Sequence, residues 1–169
     1  MPEKKTLERS RKAAREGKAP STQAGEFVRE EIDHIREGKH GARSTKQAIA
    51  IGLSKARRAG VKLPPPNKGR TSARTRAQAE RDTEKGRHPA RAASPRRSRA
   101  VKKALQREGS RAASPAALSR QAHASARSRG PESRRQAAEK AVKTKGKAGL
   151  KSAARKAART RARTRRKTA

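Results

Sequence analysis

The sequence predicts a mostly disordered chain carrying one small all-α element. That element is an α-hairpin, with helices at about residues 23–37 and 45–59, set between basic Ala/Arg-rich arms with marginal helices. Three observations lead there. The 169 residues carry a formal net charge of +35. Large apolar side chains are scarce: there is one Phe, one Met and no Trp or Tyr, and the 30% hydrophobic fraction is mostly alanine. Such a chain buries too little surface to offset the entropy of ordering it. Helix start and stop signals agree at both ends of only one stretch, Ser44 to Gly60.

Residues 1–20 read as a basic disordered arm punctuated by Gly17 and Pro20. The hairpin occupies 21–63. Its first helix begins at Ser21 or Thr22 as cap. Val28, Ile32 and Ile35 recur at i, i+4 and i+7 to give one apolar face. Between Ser21 and Gly41 there are five acidic and three basic residues. The turn GKHGAR, residues 38–43, suits antiparallel neighbours.

The second helix has Ser44 and Gln47 as a capping box, Ile49, Leu53 and Ala56 as its face, and Gly60 as C′ residue. Gly52 in mid-helix costs about 1 kcal/mol relative to Ala, which points to a close backbone approach there. Between Ala42 and Leu63 there are six bases and no acid, so the two helices are complementary in charge. The expected interface is Val28, Ile32, Ile35, Ile49, Gly52, Leu53 and Ala56. At about 1.5–3 kcal/mol per buried large side chain this core is small, so the hairpin is expected to dimerise or to dock on a protein partner.

Pro64–Pro66 open a linker, residues 64–90, rich in Pro, Gly and Thr. Residues 91–169 form an Arg/Ala-rich basic tail in which Arg91-Ala-Ala-Ser-Pro95 recurs as Arg111-Ala-Ala-Ser-Pro115. In each copy Ser suits the N-cap and Pro the N1 position of a short helix. From residue 64 onward there are 33 Lys+Arg against 6 Asp+Glu, and from Lys147 to the end there is no acid.

No catalytic constellation is apparent, and the chain does not read as an enzyme. There is no Cys, no phosphate-binding glycine loop and no nucleophile elbow. His34 and His40, six apart, suggest no ligand set, so neither a metal nor a cofactor is expected. No apolar run is long enough to span a membrane, and the basic N-terminus lacks the apolar segment of a secretory signal.

The cationic density instead implies a polyanion, with nucleic acid favoured through counterion release. Stacking aromatics are missing, which favours non-specific contact with duplex DNA. Phosphate contacts are expected from Arg57, Arg58 and Lys62 beside the hairpin. Further contacts are expected from Arg96, Arg97, Arg99, Lys102 and Lys103 in the first tail unit. Arg155, Lys156, Arg159, Arg161, Arg163, Arg165, Arg166 and Lys167 complete the set at the end of the chain. RNA or ribosome association is the first rival; an interaction module with a solubilising tail is the second.

The run from Gly25 to Pro66 resembles an uncharacterised bacterial family, domain of unknown function 6496, over residues 21–66. The resemblance rests on a KQAIAI-small-LS-x-A helix, here Lys46 to Ala56, following a short basic Gly-containing loop. It implies a bacterial origin and brings no established activity. In composition the tail, about residues 67–169, resembles linker-histone tails and bacterial histone-like proteins. Ser94-Pro-Arg-Arg97 resembles the Ser-Pro-basic-basic units of histone tails. The expected role is therefore histone-like or nucleoid-associated, in the bacterial cytoplasm.

Overall fold

Alanine has the highest helix propensity, and serine or proline suits a helix start; this sequence repeats both. The structure, a computed structural model, describes residues 2–69, 71–88 and 94–168, with side chains through Arg163. Among the described residues it contains seven α-helices. These are α1 Lys4–Arg15, α2 Pro20–Arg36, α3 Thr45–Arg58, α4 Ala73–Arg87, α5 Pro95–Gln106, α6 Pro115–Ser128 and α7 Gly130–Thr168, with a 3-10 turn at Ser110–Ala113. Arg91, Ala92 and Ala93 of the first repeat lie outside the described residues.

Two compact units result, Met1–Gln121 and Ala122–Ala169. In the first, α2 packs against α1 and α3, α4 packs on α3, and the 3-10 turn touches both α2 and α3. This overturns the expectation of a mostly disordered chain and of a freestanding helical hairpin. Residues 4–15 form a packed helix, and residues 105–118 buttress the α2–α3 loop. Gly41 N donates to Leu105 O at 2.9 Å, and Ala42 N to Gly109 O at 3.3 Å. Thr45 Oγ1 donates to Ala112 O at 2.7 Å, and Arg36 Nε to Ala113 O at 3.0 Å.

The physical reason lies in what fills the interior. Two small apolar clusters form, one around Ile32, Ile35, Ala48 and Ala113, the other around Phe27, Ala24, Ala56 and Val61. Leu7 of α1 and Leu53 and Leu63 flank the second, and Val28 and Leu118 flank the first. Most of the fully buried apolar residues are alanines, so helices approach closely and bury backbone and Cβ surface instead of large side chains. Charge pairs and buried hydroxyls fill the rest: Thr6, Ser10, Glu30, Glu31, Thr45, Arg57 and Asp82 are all buried.

Helices α2 and α3 approach closely at Gly52. A Cβ there would stand 2.6 Å from Val28 Cα and 2.9 Å from Val28 N. Backbone atoms cannot swing aside as a side-chain end can. Gly52→Ala therefore gains about 1 kcal/mol of helix propensity but overpacks the crossing by about 1–3 kcal/mol. A net loss of up to about 2 kcal/mol in urea unfolding is expected.

Local caps hold the helix starts. Ser44 Oγ accepts from Gln47 N at 3.2 Å, and Gln47 Oε1 accepts from Arg43 N at 2.9 Å, one residue before the cap itself. Ser72 caps α4 through Thr75 N, and Ser114 caps α6 through Ala117 N. The second unit contains the end of α6 and α7. None of the described side chains in α7 is buried. The helix breaks at Gly146, with φ 62° and ψ 177°, a combination that only glycine adopts readily.

Candidate functional site

Helix α2 turns a row of acids inward. Glu26, Glu30 and Glu31 follow a 3.6-residue repeat shared with its apolar face. Glu31 is fully enclosed at 0% exposure and Glu30 is 5% exposed. Lys55, from the facing turn of α3, places Nζ 2.6 Å from Glu31 Oε2 and 3.8 Å from Glu30 Oε1. On the other side of the Glu31 carboxylate, His40 Nε2 lies 3.3 Å from Oε1. Neither approach has hydrogen-bond alignment, so both Glu31 oxygens, and Glu30 Oε1, are buried without a directed donor. Two buried carboxylates thus face one lysine.

His40 sits on the 38–43 loop, which α5 and the 3-10 turn grip by its backbone. Its Nδ1 is 3.1 Å from Gly41 O. His34, one turn after Glu31 on α2, places Nε2 2.8 Å from Glu3 Oε1. Lys39 Nζ also reaches Glu3 Oε1, at 3.3 Å. The His34 hydrogen bond, and then Lys39, hold the Glu3 carboxyl below its ordinary value, while the hydrogen bond to Glu37 raises Lys39. The two imidazoles meet edge to face with centroids 6.1 Å apart. Glu31, His34 and His40 each offer one ligand atom, all within 4.8 Å of one another. A groove of about 180 Å³ between α1 and α2 is lined by Glu3, Glu26, Glu30 and His34 among others. In the sequence His34 and His40, six apart, suggest no ligand set. The signal which that reading passes over is the Glu31-x-x-His34 spacing, which puts both side chains on one helix face.

A third buried carboxylate joins α3 to α4. Asp82, 2% exposed, accepts from Ser54 Oγ at 2.6 Å and from Gln78 Nε2 at 3.2 Å, with Arg58 Nε at 3.6 Å.

The cations assigned to phosphate contact fall into two groups. Arg57 is buried, with Nε donating to Leu63 O and Nη2 to Pro64 O, both at 3.3 Å. Burial pushes its guanidinium below the ordinary value, against the pull of Asp82. It fastens the segment after α3 and presents no free donor face, and Arg58 is partly engaged by Asp82 and Ser54. Lys62 is exposed, as are Arg96, Arg97, Arg99, Lys102 and Lys103 on α5 and Arg155, Lys156, Arg159, Arg161 and Arg163 on α7. The side chains of Arg165, Arg166 and Lys167 lie outside the described residues. Of the expected hairpin-interface residues, Ile32, Ile35, Gly52 and Ala56 are buried within the chain, and Val28, Ile49 and Leu53 are half-buried.

No helix among the described residues is long and apolar enough to cross a membrane. Comparison with curated proteins and with solved structures gives no match. The Glu–His cluster and its Lys55 partner fall within the stretch that a family model covers: residues 8–68 match DUF6496, a family of unknown function.

Proposed function

We propose that the protein binds duplex DNA without sequence specificity, in a histone-like manner, by neutralising phosphates with the exposed cations of α5 and α7. The observation that supports it most is the division of charge. Glu30, Glu31 and Asp82 are buried in the α1–α4 bundle, whereas α5 and the described part of α7 bury no side chain, and their charged residues are mostly Lys and Arg. On α5, Arg96, Arg99 and Lys103 share a face. On α7, Lys151, Arg155 and Arg159 recur at every fourth position. Side chains in such rows meet successive phosphates as point charges, with no requirement on base identity. Aromatic stacking groups are lacking on either helix, consistent with backbone contact to a duplex.

The test is a set of DNA-binding isotherms at several salt concentrations for the full chain and for a chain ending at Arg129. Because α7 buries no described side chain, removing it opens no core. Each phosphate engaged contributes about −0.9 to the slope of log K against log salt, so ten contacts give a slope of about −9. Removing residues 130–169 takes away fifteen cations, so a clearly shallower slope and at least about tenfold weaker binding at low salt are expected. An unchanged slope would refute the cationic-helix mechanism. A preference for structured RNA over duplex DNA at equal salt would transfer the proposal to that polyanion.

A further inference from the structure

We infer that Glu31, His34 and His40 form a binding site for a divalent transition-metal ion, with zinc as the natural candidate. Three features carry it. First, the donor set is two imidazoles and one carboxylate from a helix and the loop that follows it, a set suited to zinc or iron. Their ligand atoms already lie within 4.8 Å of one another. Tetrahedral zinc with bonds of about 2.1 Å spaces its ligand atoms about 3.4 Å apart, so a small side-chain adjustment closes the site.

Second, each imidazole has its other nitrogen oriented by an acceptor. His34 Nε2 faces Glu3 Oε1 at 2.8 Å, and His40 Nδ1 faces Gly41 O at 3.1 Å. This is the arrangement that fixes the tautomer of a metal-binding histidine. It leaves His34 Nδ1 and His40 Nε2 with lone pairs. Third, His40 Nε2 stands 3.3 Å from Glu31 Oε1. Both oxygens of that carboxylate are buried without a hydrogen-bond partner. A metal ion placed between His40 Nε2 and Glu31 Oε1 would engage both while also reaching His34. Lys55 remains on Glu31 Oε2 and orients the carboxylate for single-oxygen ligation. The groove between α1 and α2 is lined by His34. Three protein ligands leave the fourth position to water.

The full-length protein, stripped of metal by a chelator at high salt, is titrated with zinc against a chromophoric chelator, and thermal unfolding is followed in parallel. One zinc per chain and a zinc-dependent rise in Tm are expected. His34→Gln and His40→Gln should each weaken zinc binding at least about tenfold. His88→Gln, on an exposed residue just after α4, should leave it unchanged. Glu31→Gln should weaken it equally, and if that variant unfolds, the histidine variants alone decide the matter. Absence of zinc uptake, or affinity that survives both histidine substitutions, would overturn the assignment.

Discussion

Lys55→Ala is expected to lower the unfolding free energy by about 3–5 kcal/mol, the cost of leaving a buried ion without its partner. Glu31 is fully enclosed and Glu30 nearly so, and Lys55 is the lysine that reaches both. Arg58 and Lys62, on the same stretch of chain, are directed elsewhere or to solvent, so neither replaces it. The loss is a large part of the roughly 5–15 kcal/mol that holds a domain together, and the variant should be largely unfolded near 37 °C. Urea unfolding in the presence of a chelator measures it, with a lowered midpoint at unchanged slope. Glu31→Gln in the Lys55→Met background should recover part of the loss, because a neutral amide is cheaper to bury than an unpaired carboxylate. Equal stability of Lys55→Ala and the parent would mean that the two carboxylates are solvated in solution.

Phe27→Ala should cost about 3–5 kcal/mol. Phe27 is the largest of the fully buried side chains, and the second cluster, with Leu7, Leu53, Ala56 and Val61 about it, closes on its ring. Alanines supply most of the remaining interior, so little besides Leu7, Leu53 and Leu63 at the edge of the cluster can shift into the space. Phe27→Leu should cost less than about 1.5 kcal/mol, because volume is nearly kept. A thermal melt of both variants separates the two outcomes. Similar, small shifts would show that the bundle does not depend on this cluster.

The two central helices were legible because their signals are local. The Ser44–Gln47 pair marks a start, Gly60 a stop, and the unfavourable Gly52 marks a close crossing. Fold class was misread because the estimate credited only large apolar residues. Ala24, Ala48, Ala56 and Ala113, each fully buried, carry little transfer energy singly, yet they let helices approach until backbones touch. Nor does spacing reveal that Thr45 will find the carbonyl of Ala112, sixty-seven residues later. The Glu–His cluster was half visible: Glu31-x-x-His34 is a helical spacing. Bringing in His40 and Lys55 requires the loop path and the α2–α3 crossing, which are tertiary facts. Arg57 was misassigned for a related reason, since sequence gives its charge but not the two carbonyls that its guanidinium meets.

The break at Gly146 makes the architecture of the cationic helix depend on a single codon. At 1.5 Å per residue, Lys147–Thr168 is a segment about 33 Å long, close to the rise of one turn of duplex DNA. With glycine at the joint, this segment and the one before it have independent axes, and a ligand that curves can be followed by two straight pieces. A β-carbon at position 146 would disfavour the joint conformation and fuse the pieces into one rod. Rigidity over this arm is thus a heritable variable set at one position, separable from its charge and from everything that folds the bundle.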